Sequence, residues 1–335
     1  MKMRPNVGPW LAALLVLGLA GLAAVVWLNK TYLSDPWLEE GWCLDIPPSS
    51  SAEAATLAWP QTLSNHALGR RVVDVLEARG WTDRVRPGRY CFQPTESAKA
   101  SAERLATGTR ETVRMVVPAG RDLPPIAGAM ARNLHADSAE VLARITADSV
   151  RWRIVPNTYD MWWETDADGV VSRVLREHAQ WWTEDRRASA RAVGLSPFEV
   201  TVLASIVQAE TATLSEAPVV AGLYLNRLRK GMPLQADPTL IYALNDPSIR
   251  RVLDVHKEVD SPYNTYLHTG LPPGPIRVVD PRYLQSVLHP ASHTFLYMCA
   301  EPGGSGTHNF ASTYREHLRN ARAYQRWLNE QRIYR

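Results

Sequence analysis

One segment limits the fold of this chain more than any other: a capped helix that is hydrophobic on nearly every side. Residues 196–199, Ser-Pro-Phe-Glu, combine an N-cap serine, a proline at the first helical position and a glutamate at N3, the pattern of a capping box. The helix is predicted to run to about Ala209 or Glu210. Because apolar residues surround its axis, this helix has to be buried. A domain must therefore be built around it.

Helices and short strands are predicted on both sides of this segment. Residues 139–195 are predicted to be mainly helical. Ser215 is a predicted N-cap, and Gly231 ends its helix after basic residues that suit a helix C-terminus. Further helices are predicted from Asp237-Pro238, Asp280-Pro281 and Thr313, and strands at 294–300 and 308–311. This part is therefore predicted to be mostly helical with a small β-sheet.

Upstream, shorter elements alternate between helix and strand. A helix is predicted from His66 to Arg79 and closed by Gly80, because its apolar residues cluster on one side. Strands are predicted at 89–92 and 112–117, and helices at 97–106 and 122–134. These elements form a small α+β module without a catalytic constellation. The fold class of the whole chain is therefore predicted to be α+β.

The N-terminus contains the uncharged stretch Trp10–Leu28. At about 1.5 Å per residue, it is just long enough to cross a hydrocarbon core of about 30 Å. Lys2 and Arg4 precede it, which favours a cytoplasmic N-terminus with the rest of the chain outside. A cleaved signal peptide is the alternative, but apolar residues continue past the small residues at 21–23 and favour a single transmembrane anchor.

Composition excludes several classes of protein. The net charge of +3 and the lack of long basic runs argue against a nucleic-acid partner. No cysteine or histidine cluster has zinc spacing, and no glycine-rich phosphate loop is present, so no metal and no cofactor is predicted. Outside the cytoplasm Cys43 and Cys91 are candidates for a disulfide, with Cys299 left over; three buried thiols are the alternative.

Glu210 is the residue that points to chemistry. It ends the buried helix, where apolar surroundings and the negative helix C-terminus both favour a protonated carboxyl group. A glutamic acid that keeps its proton near neutral pH is what a glycosidic general acid requires. The alternative is a glutamate that turns outward at a frayed helix end.

Other polar residues have both a functional and a structural interpretation. Asp237 before a proline is typical of an N-cap. Asn226 and Arg227 are either helix-end residues or cleft ligands. The Tyr-Asn-Thr-Tyr segment at 263–266 offers groups that bind sugars, although turns use the same residues. His308 follows a glycine-rich turn, and an ordinary strand histidine is the favoured interpretation.

Several blocks of residues, in fixed order, resemble one known family. They are Leu-Ala-Ser-Ile-Val-Gln-Ala-Glu-Thr at 203–211, Leu-Asn-Arg-Leu at 225–228, Gly-Met-Pro-Leu-Gln-Ala-Asp-Pro-Thr at 231–239, Tyr-Asn-Thr-Tyr at 263–266, Gly-Leu-Pro-Pro-Gly-Pro-Ile at 270–276, and His308 with Phe310, Glu316 and His317. The chain thus resembles the MltG (YceG-like) endolytic murein transglycosylase family. Weaker matches at 88–92 and 117–120 resemble the family's LysM-like module.

The resemblance implies an inner-membrane enzyme that cuts peptidoglycan strands internally between N-acetylmuramic acid and N-acetylglucosamine. The product carries a 1,6-anhydro-muramoyl end, and the family's catalytic glutamate falls on Glu210. The implied domains are a cytoplasmic N-terminus at 1–9, a transmembrane helix at 10–28, a LysM-like module with linker at 29–135 and a periplasmic catalytic domain at 136–335. Penicillin-binding proteins are implied as candidate partners in terminating nascent strands. Substrate contacts are predicted for Gln235, Asn226, Asp237, Asn264, Tyr266 and Glu216.

Two rival functions remain open on the sequence. A hydrolytic muramidase would need a second carboxylate, for which Asp237 and Glu216 are the nearby candidates. A non-catalytic, membrane-anchored peptidoglycan-binding scaffold would need no acid at Glu210. The first would leave reducing ends on its products, and the second would leave no products.

Overall fold

The computed structural model describes residues 8–27, 30, 36, 38, 40–48, 69–249 and 252–331. The fold is mixed α+β and mostly helical with small two-stranded sheets, which confirms the predicted fold class at this level. The chain divides into two compact units. Unit 1 comprises the described residues up to Arg114 together with Asn133–His135 and Asp160–Asp166, and unit 2 comprises the remainder. The domain bounds inferred from the sequence stay a prediction.

Unit 1 is built on an antiparallel pair of strands. Strands β1 (Trp42–Ile46) and β2 (Gly88–Phe92) pair so that Cys43 lies opposite Cys91, and a disulfide joins the two. Helices α2 (Arg70–Arg79) and α3 (Ala98–Thr107) pack together and bury an apolar core against the strands. A short 3₁₀ helix, Thr82–Arg84, follows α2.

The sequence boundaries of these elements agree with the structure within a few residues. Gly80 ends α2 in the left-handed conformation, and Ser97 caps α3 by accepting a hydrogen bond from the backbone N–H of Ala100. The predicted start of the first helix, at residues 66–68, lies outside the described residues. Helix-capping glycine and serine residues therefore predicted the helix ends of this unit well.

Strands β3 (Thr112–Val117) and β4 (Asn157–Trp162) form a second two-stranded sheet. The segment 139–195 is mainly helical as predicted, but strand β4 within it was not foreseen; burial alternates along this strand, and only Tyr159 and Met161 are buried. The surrounding helices are α4 (Leu123–Ala131), α5 (Ser138–Ile145), α6 (Asp148–Arg151), α7 (Ala167–Trp181) and α8 (Glu184–Val193).

The all-round hydrophobic helix is α9 (Pro197–Glu210), and it lies at the centre of unit 2. Its residues from Val200 to Val207 are all buried. The predicted capping box is present: Ser196 Oγ accepts from the N–H of Glu199, and Glu199 Oε2 accepts from the N–H of Ser196. The remaining elements of unit 2 are α10 (Ala217–Arg229), α11 (Asp237–Ala243), the 3₁₀ helix Asp254–Glu258, α12 (Pro281–Leu288), β5 (Tyr297–Ala300), β6 (His308–Ala311) and α13 (Tyr314–Glu330).

Two predicted N-caps are wrong, and both errors concern the site. Glu216, not Ser215, occupies the position before α10, and its side chain does not cap the helix. Ala236 occupies the position before α11, so Asp237 is the first helical residue and its side chain makes no cap hydrogen bond. The carboxylates of Glu216 and Asp237 bind partners from elsewhere in the chain instead.

Helix α1 (Gly8–Trp27) carries the N-terminal apolar sequence, and its described side chains are exposed. By length and hydropathy, no single helix among the described residues qualifies as a membrane span, and the apolar part of α1 counted there is Ala13–Trp27. The bent pair of α8 and α9, at 71°, meets the same criterion only jointly, and α9 is mostly buried.

Candidate active site

A cleft of about 360 Å³ opens in unit 2 at the C-terminal end of α9. Its walls come from α10, the residues around the start of α11, strands β5 and β6, and α13. Its polar and aromatic lining comprises Glu210, Tyr224, Arg227, Gln235, Asp237, Tyr266, Tyr297, His308, Tyr314 and His317. Aromatic faces mixed with hydrogen-bonding groups suit a ligand that is rich in hydroxyl and amide groups.

Glu210 is the last residue of α9, and its carboxyl group reaches into this cleft. Its side chain is partly buried. The hydroxyl of Tyr224, one helix away on α10, donates a hydrogen bond of 2.8 Å to Glu210 Oε1. This contact fixes the orientation of the carboxyl group, because Tyr224 is itself buried in the core of unit 2.

The surroundings of Glu210 hold its proton on near neutral pH. Together they raise the pKa of Glu210 from 4.5 to about 7, and burial is the largest cause of this rise. The negative charge of Asp237 also contributes to the rise, whereas the Tyr224 hydrogen bond and the positive charge of Arg227 oppose it. A carboxyl group with a pKa near the working pH can both give and take a proton.

Arg227 joins the elements that form the cleft. It is buried, with only 8% of its surface exposed. Its guanidinium donates to the backbone carbonyls of Leu296, at 2.6 Å, and Leu234, at 2.7 Å. One arginine therefore ties α10 both to the segment before β5 and to the loop before α11, and it brings a positive charge close to Glu210.

Three of the predicted substrate ligands, Gln235, Asp237 and Tyr266, line the same cleft as Glu210, and their contact with substrate stays a prediction. Tyr266 donates a hydrogen bond of 2.5 Å to Asp237 Oδ1, and burial raises the pKa of the Tyr266 hydroxyl. Gln235 has a left-handed backbone with φ of 49°, held by a hydrogen bond from its N–H to the carbonyl of Thr265. Strained backbone of this kind is frequent at ligand-binding sites.

The other three predicted ligands, Asn226, Asn264 and Glu216, are not among the residues that line the cleft. Asn226 donates to the carbonyls of His293 and Phe295, and buried Asn264 donates to those of Lys257 and Val259. These amides organise loops, because their hydrogen bonds go to backbone carbonyls. Direct substrate contact by either residue stays a prediction that this arrangement does not favour.

Glu216 and His308 form a pair that the sequence did not indicate. The buried carboxylate of Glu216 accepts from the backbone N–H of His308 at 2.7 Å, and its other oxygen lies 2.8 Å from His308 Nδ1. His308 is in strand β6, as predicted, but its ring also lines the cleft. Glu216 therefore orients a cleft residue from behind. The two residues are far apart in sequence, so only the fold brings them together.

Among the described residues, no group of three or more histidine, cysteine, aspartate and glutamate side chains is arranged to hold a metal ion.

A comparison with models of known protein families identifies the family of this chain. The family model described as YceG-like family matches residues 46–323, most of the chain and the whole of the cleft-forming region. This chain belongs to the YceG-like family. The family assignment confirms the resemblance drawn from the residue blocks between 203 and 317.

Two similar proteins are consistent with this assignment. This YceG-like chain is 31% identical over 167 residues to the endolytic murein transglycosylase of Bacillus subtilis, and the match covers 50% of this chain and 45% of that protein. It is 26% identical over 176 residues to the endolytic murein transglycosylase of Streptococcus pneumoniae, covering 50% of this chain and 31% of that protein. The matched region thus spans less than half the length of these relatives.

The fold also has a counterpart among solved structures. A crystal structure of a YceG-like protein from Listeria monocytogenes superposes with a TM-score of 0.51 at 23% sequence identity. The match covers 84% of this YceG-like chain and 99% of the other. This likeness concerns the fold alone.

Replacing Tyr224 by phenylalanine tests the proton balance at Glu210. Loss of the hydroxyl removes a hydrogen bond that favours the carboxylate, so the pKa of Glu210 is expected to rise above about 7. If protonated Glu210 starts the reaction, the alkaline limb of the kcat/KM profile moves to higher pH in the variant. The matched control is Tyr324→Phe on α13. A profile in Tyr224→Phe that keeps the wild-type limb would contradict this assignment of the titrating group.

Proposed function

We propose that this chain is an endolytic murein transglycosylase, which cleaves the β-1,4 bond between N-acetylmuramic acid and N-acetylglucosamine inside a glycan strand. The observation that carries the proposal is the carboxyl group of Glu210, whose pKa is raised to about 7 in a cleft lined by hydrogen-bonding and aromatic groups. Membership of the YceG-like family and the two relatives named as endolytic murein transglycosylases support it.

A single carboxyl group suffices for this reaction. Glu210 donates its proton to the glycosidic oxygen, and the bond from that oxygen to C1 of the muramic acid residue breaks. The 6-hydroxyl of the same residue then bonds to C1, and the Glu210 carboxylate takes the hydroxyl proton. No water enters: one product ends in 1,6-anhydro-N-acetylmuramic acid and the other begins with a free 4-hydroxyl. Glu210 returns to its protonated form.

The residues around Glu210 are proposed to bind the substrate and to hold the cleft together. Gln235, Tyr266 and Asp237 line the cleft beside it and are proposed to hydrogen-bond sugar hydroxyl and N-acetyl groups. His308, oriented by buried Glu216, presents its ring to the same space. Arg227 keeps these elements together and moderates the pKa of Glu210.

One observation supports the hydrolytic alternative. Asp237 lies in the same cleft as Glu210, and its charge acts on the pKa of Glu210. A hydrolytic muramidase usually has two carboxyl groups at its site, one as the general acid and the other as nucleophile or base. Asp237, however, is bound to the hydroxyl of Tyr266, which gives it a positioning role.

The cellular setting is part of the proposal. The exposed apolar helix α1 supports a single-pass anchor in the inner membrane, with the N-terminus in the cytoplasm and units 1 and 2 outside. The disulfide between Cys43 and Cys91 is typical of such an oxidising compartment. Unit 1 is proposed to be LysM-like, and penicillin-binding proteins are proposed as partners of the enzyme.

Product analysis tests the activity directly. The full chain in detergent is incubated with purified glycan strands, and the fragments are examined by mass spectrometry before and after borohydride reduction. We expect fragments one water lighter than hydrolysis products, with ends that resist reduction. Reducible ends would instead establish the hydrolytic muramidase, and strand binding without any fragments would establish the scaffold.

A further inference from the structure

A second cavity in unit 2 adjoins the residues that carry the catalytic carboxyl group. It has a volume of about 200 Å³, and Ala209 and Pro238 contribute to its wall. These residues are the chain neighbours of Glu210 and Asp237, which line the cleft. The two cavities are therefore lined at two places by consecutive residues of the chain, which puts the second cavity in the neighbourhood of a ligand in the cleft.

The second cavity is lined by two arginines, and no acidic residue is among the described residues that line it. Nε of Arg277 is buried without a hydrogen-bond partner, and its guanidinium makes only a 3.5 Å contact with the carbonyl of Gln208. Arg121 donates to the carbonyl of Ile241, and the nearest carboxylate, Asp122, is 3.9 Å away and 66% exposed. Positive charge is thus poorly compensated here.

A third arginine strengthens this positive charge. Arg151 lines an adjoining cavity together with Arg121 and Tyr242, and its Nε is also buried without a partner. The guanidinium carbons of Arg121 and Arg151 lie 5.9 Å and 5.4 Å from the ring centre of Tyr242. The carboxylates in this neighbourhood, Asp122, Asp148 and Asp246, are exposed to solvent and therefore screened.

The rest of the second cavity is apolar. Ala209, Pro238, Ile241 and Ile276 supply its other walls. A guanidinium matches a carboxylate with two parallel hydrogen bonds, and apolar walls favour a short hydrocarbon group beside that charge. The lining therefore suits a carboxylate that carries a small apolar substituent, as the end of a short peptide does.

We propose that Arg277 and Arg121 form a subsite for a carboxylate of the peptide that is attached to muramic acid in the glycan strand. This inference rests on the proposed function, since it takes the strand in the cleft as the source of the peptide. An extended peptide spans about 3.3–3.6 Å per residue, so a stem of a few residues reaches from a sugar in the cleft to a neighbouring cavity. The subsite would select strands that carry peptides.

Binding to a non-cleaving form tests the subsite independently of catalysis. The full chain with Glu210→Gln is titrated calorimetrically with two soluble glycan fragments, one with its peptides and one from which an amidase has removed them. We expect tighter binding of the peptide-bearing fragment. Adding Arg277→Gln or Arg121→Gln should reduce that preference about 10-fold or more, because hydrogen bonds to charged groups are worth about 1.5–3 kcal/mol.

Two further variants separate binding from folding. Arg319→Gln changes an exposed arginine on α13 and should leave the preference unchanged. Arg277→Lys keeps the positive charge but lacks the planar guanidinium group, and it should retain part of the preference for the peptide-bearing fragment. The proposal is overturned if the Glu210→Gln protein shows no preference for the peptide-bearing fragment, or if adding Arg277→Gln lowers the affinity for both fragments equally. Failure of the proposed function is a different result, namely no cleavage of either strand by the wild-type chain.

Discussion

Replacing Glu210 by glutamine is expected to nearly abolish cleavage of glycan strands, by a factor of roughly 10²–10⁴ in kcat. Glutamine keeps the size of the side chain and can still accept the hydrogen bond from Tyr224, but it has no proton to give to the glycosidic oxygen. The measurement is the rate of appearance of anhydro-ended fragments. Glu258→Gln, at an exposed glutamate in the same unit, is the matched control and should retain full activity.

The same substitution should not harm the fold. The pKa of Glu210 is about 7 in the native state and 4.5 in its ordinary state, so the native chain binds the proton more tightly. Native stability therefore falls as the pH rises from about 4.5 through 7, and a neutral glutamine escapes this loss. We expect Glu210→Gln to melt at or above the wild-type temperature at pH 8. An active Glu210→Gln protein would remove Glu210 from the mechanism.

Removing the disulfide of unit 1 is expected to have the second large effect. Cys43 and Cys91 are 48 positions apart and join β1 to β2, so the bond restricts the unfolded chain over a long loop. Its loss in Cys43→Ser/Cys91→Ser should cost about 2–5 kcal/mol of the free energy of unfolding. Calorimetry is expected to show the transition of unit 1 lowered by about 10 °C or more.

The third cysteine provides the control for this experiment. Cys299 lies in unit 2 and is unbonded, so Cys299→Ser should leave the transition of unit 1 where it was. Wild-type protein melted in a thiol reductant should reproduce the behaviour of the double serine variant. A double variant that unfolds like the wild type would mean that the bond contributes nothing to the stability of unit 1.

Elements with local signals could be predicted from the sequence. The capping box at Ser196 and Glu199 and the glycine at position 80 depend on residues a few positions apart, and the structure has them as expected. Strand β4 was missed because its alternating burial is only a few residues long and lies among helices. Short alternating segments carry a weaker signal than a capped helix.

The candidate site shows the same limit more clearly. The position of Glu210 at the end of a buried helix could be inferred, because burial and helix end are both properties of one segment. Its partner Tyr224 depends on how α9 and α10 are aligned, which no local pattern specifies. The pairing of Glu216 with His308 joins α10 to β6 over most of the unit, and an N-cap rule misassigned the region around Glu216.

The free thiol of Cys299 is a site at which this cleft can be labelled covalently. Cys299 lies on β5 among the cleft residues, so a reagent that couples to its sulfur would occupy the same cleft as the carboxyl group that is proposed to perform the reaction. Burial raises the pKa of the Cys299 thiol, which slows indiscriminate alkylation at neutral pH. A sugar-like molecule that brings an electrophile to this wall would therefore label the enzyme through its own binding, and could serve as a lead for covalent inhibitors.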